Sequence, residues 1–179
     1  MNKILAISGS TREQSSNLNV IKAIEKLGAG RLDITVYSGL TALPHFNPDK
    51  DTEDVAVEVA AFRQQLKAAD GVLICTPEYA RGLPGTLKNA LDWTVSSASF
   101  SGKPVVAITA GTMGQDAHAS LLGTLKMIEA IVPDSLQLLL PYARTKINAA
   151  YEITDAPTLL SIQQLIDAFV LEMERAKQG

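Results

Sequence analysis

Hydrophobic and polar positions along the chain follow two alternating patterns, one typical of strands and one typical of helices. Short, mostly apolar runs predict five strands, and Gly or Pro bounds several of them. The strands are expected at residues 3–8, 31–37, 71–77, 104–111 and 134–141. Because most of these runs are apolar without interruption, we expect both faces of the sheet to be covered.

Each predicted strand is followed by a segment with helical spacing. After the first strand, Leu18, Ile21, Ile24 and Leu27 recur at helical intervals, and Gly28 is a typical stop. Strict alternation of strands and helices predicts an α/β fold with a parallel sheet. Five strands favour a flavodoxin-like three-layer sandwich of strand order 2-1-3-4-5, with helices on both faces, over a six-stranded Rossmann unit. The later helices are expected at residues 54–70, 84–93, 117–131 and 157–177.

Composition narrows the class of protein. The 179 residues, of which 46% are hydrophobic and 20% charged, fit one globular domain spanning residues 1–179. A net charge of -3 and a pI of about 5.4 argue against a nucleic-acid partner. No apolar run approaches the roughly 20 residues of a membrane span, and the first residues are too soon polar for a signal peptide. A single Cys cannot form an internal disulfide and suits a reducing compartment, so we expect the chain in the cytoplasm.

The loop after the first predicted strand combines short hydroxyl side chains with one guanidinium. It reads GSTREQSSN at residues 9–17. A helix expected to begin near its end would present free N–H groups to an anion. The hydroxyls of Ser10, Ser15 and Ser16 add donors, and Arg12 adds a planar fork matched to phosphate. The loop therefore predicts an anion site, although a plain loop with a Ser or Asn cap has the same composition.

Two further loops at the same edge of the sheet are shaped by Gly and Pro. The segment TPEYARGLPGTLKNALDW, residues 76–93, places Glu78 and Tyr79 at the end of the third strand. The segment TAGTMGQDAH, residues 109–118, follows the fourth strand. Ligands of open α/β sheets bind beyond the carboxyl ends of the strands, where the strand order reverses. One anion loop beside two such loops predicts a mononucleotide site, and flavin mononucleotide (FMN) fits its shape.

These segments resemble motifs of the NADPH-dependent FMN reductase family. Residues 9–17 are similar to its G-S-x-R-x-x-S-x-N phosphate loop, and residues 76–93 to its T-P-E-Y-N-x-x-x-P-G-x-L-K-N-A-[IL]-D-W segment. LPHFNPDKD, residues 43–51, resembles its L-P-x-[FY]-[ND]-x-D stretch. The resemblance is close over residues 3–114. It departs at Ala80, where the family often has Asn, so contacts there would come from the backbone.

The resemblance implies FMN as cofactor and NADPH or NADH as co-substrate. Hydride would pass through FMN to a quinone, an azo compound, free flavin or a metal oxyanion in a ping-pong cycle, with no catalytic side chain. Backbone N–H groups near residues 78–82 would stabilise negative charge on the reduced flavin. The family also implies a homodimer or homotetramer with the flavin near a subunit boundary, which would give the long loop at residues 38–52 a role there. The residues expected to bind the cofactor are Ser10, Arg12, Ser15, Ser16, Asn17, Pro77, Glu78, Tyr79, Ala80, Arg81, Gly82 and Gly111.

Two other functions are compatible with parts of the pattern. A flavodoxin-type carrier of single electrons would share the fold and FMN, but such carriers tend to be more acidic and lack an Arg in the phosphate loop. A nucleoside transferase would need a carboxylate nucleophile, for which Glu78 is a candidate. Trp93 is expected in the core or a subunit contact, His118 as a solvated or capping residue, and Cys75 as a buried packing thiol. The histidines and the Cys are far apart in sequence and predict no metal site.

Overall fold

A computed structural model describes residues 1–178 of the protein. Within these residues, all strand pairs are parallel and the strand order is 2-1-3-4-5, which confirms the predicted flavodoxin-like sheet. The strands are β1 (Asn2–Ser8), β2 (Leu32–Tyr37), β3 (Gly71–Thr76), β4 (Val105–Gly111) and β5 (Gln137–Pro141). The α-helices are α1 (Ser16–Leu27), α2 (Val57–Ala68), α3 (Gly85–Asp92), α4 (Gln115–Met127) and α5 (Ala156–Ala176).

The core consists of two apolar layers, one on each face of the sheet. Successive side chains of a strand point to opposite faces. In β1, Ile4 and Ala6 pack toward α1 and α5, whereas Leu5 and Ile7 pack toward α2, α3 and α4. All four are at most 3% exposed. The strands are apolar without interruption because both faces of the sheet are buried, as the sequence indicated.

Helix α4 ends earlier than its apolar spacing predicted. Glu129 has a φ of 61°, in the left-handed region, and the Ala130 N–H donates to the Leu125 carbonyl at 3.0 Å. This is the hydrogen-bond pattern of a helix C-cap. The next residue, Ile131, pairs with the start of β4, so sheet pairing overrides helical periodicity here. The predicted end at residue 131 was therefore wrong.

The first three residues of the predicted fifth strand form a turn instead. Residues 134–136 are a 3₁₀ turn, closed by the Leu136 N–H, which donates to the Pro133 carbonyl at 2.8 Å. β5 therefore begins at Gln137. No helix within residues 1–178 is long and apolar enough to cross a membrane.

The long loop at residues 38–52 is fastened to α3 within the same chain. The Asn89 side chain donates to the Pro44 carbonyl at 2.9 Å and accepts from the Phe46 N–H at 2.7 Å. The Trp93 indole N–H donates to the same Pro44 carbonyl at 2.8 Å. Trp93 is only 1% exposed, as expected for a core residue. The proposed role of this loop at a subunit boundary stays a prediction.

Candidate functional site

A cleft lies beyond the carboxyl ends of β1, β3, β4 and β5. Its volume is about 580 Å³, within the range of roughly 300–1,000 Å³ usual for small-molecule sites. The cleft brings together nine of the residues predicted to bind a cofactor: Ser10, Arg12, Ser15, Ser16, Asn17, Pro77, Glu78, Tyr79 and Gly111. Ala80, Arg81 and Gly82 do not line it. Their position in the cleft does not test whether they bind a cofactor, so the binding roles stay predictions.

Gly9 is required where the chain leaves β1, because the loop passes very close to β3 there. Its N–H donates to the Cys75 carbonyl at 2.8 Å, which holds the loop against the end of β3. A Cβ on Gly9 would lie 2.2 Å from the Thr76 Oγ1. Only a residue without a side chain allows the loop to start so close to β3.

The loop after β1 ends in a capped helix start that faces the cleft. The Ser15 Oγ accepts from the Asn17 N–H at 3.2 Å and is the N-cap of α1. The capped loop that we considered as the plain alternative is therefore present. It does not compete with anion binding, because a hydroxyl that accepts one hydrogen bond can still donate another. Ser15 and Asn17 are 3% and 2% exposed, so their polar groups are held in place.

The cleft wall carries more positive than negative charge. Arg12 and Arg144 line it, and neither has a carboxylate within 4.0 Å in the described part of the chain. The one acid on the wall among these residues is Glu78. Its Oε2 accepts from the Ala117 N–H, in the first turn of α4, at 2.9 Å. The positive end of the α1 dipole adds to the same field. The site is therefore suited to an anionic ligand.

The segment after β3 forms a tight turn with an unusual backbone. Tyr79 and Gly82 exchange two backbone hydrogen bonds of 3.0 Å each. The two central residues, Ala80 and Arg81, have φ values of 48° and 62°. Positive φ at both central positions defines a type I′ turn, which normally prefers Asn and Gly. The N–H groups of Tyr79 and Gly82 are used inside the turn, so a contact with a flavin would have to come from other N–H groups of residues 78–82. That contact stays a prediction.

Two side chains predicted to border the cofactor tie the turn to α4 instead. Besides the bond from Ala117 to Glu78, the Arg81 Nε donates to the Asp116 Oδ2 at 2.6 Å. This hydrogen bond and the charge of Asp116 raise the pKa of Arg81. The Arg81 side chain is 84% exposed, so the ion pair contributes little to stability. Glu78 faces the cleft, and one of its two carboxylate oxygens is bonded to the Ala117 N–H.

The loop after β5 supplies a wall that sequence reasoning missed. Tyr142 and Arg144 line the cleft, and so does Met113 from the loop after β4. The Tyr142 N–H donates to the Gly111 carbonyl at 2.6 Å, which joins the ends of β4 and β5. The signal was available, because a polar and aromatic stretch, PYART, directly follows the fifth strand. Strand β5 lies farther from the reversal in strand order than β3 and β4, so the position of its end alone did not predict a role in the site.

His118 and Cys75 lie behind the cleft wall. The His118 Nδ1 is 3.0 Å from the Thr109 Oγ1, and burial lowers the pKa of His118. We had expected His118 to be a solvated or capping residue, but its side chain is partly buried. The Cys75 thiol is buried, as predicted, and burial raises its pKa. Its Sγ lies 3.3 Å from the Asn17 Oδ1, so a neutral thiol donates to this amide.

The chain is similar to several known proteins over nearly its whole length. The profile of the NADPH-dependent FMN reductase family matches residues 2–145. A 2-hydroxy-1,4-benzoquinone reductase of a Burkholderia species is 30% identical over 173 residues, 93% of this chain and 93% of that protein. An NAD(P)H-dependent FMN reductase of Pseudomonas aeruginosa is 30% identical and covers 98% of this chain and 97% of its own length. The structure of FerB, a flavoenzyme NAD(P)H:(acceptor) oxidoreductase from Paracoccus denitrificans, superposes with a TM-score of 0.79 at 28% identity, over 98% of this chain and 99% of FerB. The chain therefore belongs to the NADPH-dependent FMN reductase family.

Proposed function

We propose that this oxidoreductase holds FMN in the cleft and transfers electrons from NADPH or NADH to a small acceptor, with a quinone as the first candidate. The observation that carries the proposal is the β1–α1 loop. One wall of the cleft thus carries the Arg12 guanidinium, the capped start of α1 and the buried Ser10 and Ser15 side chains. Arg12 has no carboxylate within 4.0 Å in residues 1–178. These donors match a phosphate group.

The rest of the cleft fits the other parts of FMN. Its floor is apolar at Ala110, which is fully buried, and its sides are the short loops after β3 and β4. Pro77, Tyr79 and Gly111 would border the flavin ring. Ala80, Arg81 and Gly82 would act through the turn that positions Tyr79, because they do not line the cleft themselves.

When bound, FMN supplies the redox chemistry, in which NAD(P)H, a quinone and one proton give NAD(P)⁺ and a hydroquinone. The chain's own residues bind and orient the reactants. Arg12 and the start of α1 would hold the phosphate, and the loops around Tyr79 and Gly111 would hold the ring. Glu78 is the one carboxylate on the described cleft wall and is bonded to Ala117, so we expect solvent to provide the proton for the acceptor.

A quinone acceptor is favoured by the relatives. One is a 2-hydroxy-1,4-benzoquinone reductase, and a 28% identical protein of Escherichia coli is a quinone reductase. The rival function, a flavodoxin-type carrier of single electrons, has less support. Arg12 in the phosphate loop and the NAD(P)H-dependent relatives both favour direct oxidation of a nicotinamide nucleotide.

We further propose that the chain works as a single domain over residues 1–179, in the cytoplasm, and as a homodimer or homotetramer. A groove between α3 and α4, outside the cleft, supports self-association. Val95 and Met127 both line it and are 58% and 80% exposed. Sedimentation velocity on the FMN-loaded protein tests this, and a monomer at micromolar concentration would contradict it.

The phosphate assignment is tested by titrating the apoprotein with FMN and with riboflavin, which lacks the phosphate. Arg12→Ala should weaken FMN binding by about 1.5–3 kcal/mol, because it removes a charge-assisted hydrogen bond, and should leave riboflavin binding unchanged. Arg31→Ala is a matched control, since Arg31 precedes β2 at the opposite edge of the sheet. Equal affinities of the Arg12→Ala and Arg31→Ala proteins for FMN would contradict the assignment.

A further inference from the structure

The mouth of the cleft has an apolar rim contributed by three separate loops. Tyr79, Met113 and Tyr142 follow β3, β4 and β5, and all three line the cleft. They are 49%, 62% and 60% exposed. Single exposed apolar side chains are ordinary, but several that converge on one cleft indicate a surface that receives a ligand. A planar molecule could therefore pack at this mouth.

Arg144 stands beside this rim on a firmly held turn. Ala143, the residue before it, is 2% exposed and anchors the turn in the core. The Thr145 N–H and Oγ both donate to the Tyr142 carbonyl, at 3.0 and 2.9 Å. The Arg144 guanidinium has no carboxylate within 4.0 Å in residues 1–178. The structure thus places an uncompensated cation, on an ordered backbone, at the edge of an aromatic surface.

The cofactor phosphate does not need this second cation. Arg12, the start of α1 and the Ser hydroxyls lie together on the loop after β1, whereas Arg144 lies on the loop after β5. An unpaired guanidinium on a separate loop is suited to a separate anion. Because the apolar rim lies beside Arg144, we expect this anion to be a charged group on a planar molecule.

We infer that Tyr142 and Arg144 form an acceptor subsite that selects planar acceptors with a negative charge next to the ring, such as hydroxyquinone anions or sulfonated quinones. The inference rests on the proposed function, because it names the class of acceptor used at the same cleft. Arg144 binds and orients the acceptor, and two electrons and two protons convert the quinone to its hydroquinone.

The test compares two acceptors that differ by one charge. Holoenzyme is reduced with dithionite, so that no nucleotide is needed, and is mixed with 1,4-naphthoquinone or 1,4-naphthoquinone-2-sulfonate in a stopped-flow instrument. The ratio of the two second-order rate constants is measured for the wild type, for Arg144→Gln and for Arg31→Gln, which removes the same charge far from the cleft. Because the chemical reactivity of each acceptor is the same in all three proteins, the change in this ratio isolates recognition of the charge.

Arg144→Gln should lower the ratio of sulfonated to neutral quinone about 1.5- to 5-fold, the size expected for an ion pair at an exposed site. Arg144→Glu should lower it further, and Arg31→Gln should leave it unchanged. An unchanged ratio in Arg144→Gln would overturn the inference. So would a selective loss of FMN over riboflavin affinity, which would make Arg144 a ligand of the cofactor phosphate. In a separate steady-state assay with NADPH and the neutral quinone, a rise confined to the KM for NADPH would overturn it too. If the wild type fails to reduce the neutral quinone, the proposed function fails instead.

Discussion

The left-handed turn after β3 makes a quantitative prediction about stability. Ala80 has a φ of 48°. A non-glycine residue in the left-handed region costs about 1–2 kcal/mol. Ala80→Gly removes this cost, but glycine loses about 0.4–1 kcal/mol more backbone entropy on folding. The substitution should therefore be neutral or raise the free energy of unfolding by up to about 1.5 kcal/mol, with a gain near 1 kcal/mol as the central value.

A second Ala→Gly substitution gives a control of opposite sign. Ala60 is exposed in α2, where the backbone is right-handed and helical. There glycine loses the same entropy and relieves nothing, so Ala60→Gly should lower the free energy of unfolding by about 0.8–1 kcal/mol. Urea denaturation of the FMN-free protein measures both variants. For a chain of this length, 1 kcal/mol corresponds to about 2–4 °C in Tm, so thermal unfolding should separate them as well.

The two variants decide whether the turn exists in solution as described. If Ala80→Gly destabilises the protein as much as Ala60→Gly does, then Ala80 is not in a left-handed conformation and the strain argument fails. Ala80→Asn is the complementary test, since Asn tolerates the left-handed region without the full entropy loss of glycine. It should be at least as stable as Ala80→Gly.

Other contacts give predictions of similar sharpness. Arg63→Leu should lower the free energy of unfolding by about 1.5–3 kcal/mol in urea denaturation. The reason is that it leaves the mostly buried Asp51 carboxylate, 2.7 Å from Arg63, without its charged partner. A loss below about 0.5 kcal/mol would contradict this. Glu78→Ala should cost about 0.5–2 kcal/mol, because the Ala117 N–H loses its acceptor, and Glu78→Gln, which keeps an acceptor oxygen, should cost less; equal losses would count against the capping role. Burial depresses the pKa of His118 in the folded protein. The contribution of neutral His118 to the free energy of unfolding is therefore complete above about pH 6.5, and it is lost as the pH falls toward the folded-state pKa. His118→Gln should therefore flatten the fall in stability below pH 6.5, and an unchanged pH profile would show that His118 is not buried in its neutral form.

The fold could be predicted because its causes are local and repeated. Uninterrupted apolar runs at β1, β3 and β4 reflect burial on both faces, and the alternation with helices leaves few arrangements. Helix α4 was predicted too long because its apolar spacing continues past Met127. What ends it is the pairing of Ile131 with the start of β4, a contact between residues distant in sequence.

The site was only partly predictable for a related reason. The β1–α1 loop could be predicted because its donors are contiguous in sequence. The turn at Ala80 could not, because its sequence lacks the Asn and Gly that mark a type I′ turn. The partners of Glu78 and Arg81 could not be predicted either. They lie on α4, distant in sequence, and only the pairing of β3 with β4 brings them close. Tyr142 and Arg144 were overlooked although they follow a predicted strand.

The central claim is that FMN in this cleft is reduced directly by a nicotinamide nucleotide. The most direct test is the visible spectrum of the FMN-loaded protein under anaerobic conditions, recorded before and after one equivalent of NADPH and, in a parallel sample, NADH. The account predicts prompt bleaching of the bound flavin band with at least one nucleotide, and return of the band when a quinone is added. A protein that binds FMN but stays oxidised with both nucleotides would contradict the account and favour a carrier of single electrons. A protein that binds no FMN would contradict the assignment of the cleft itself.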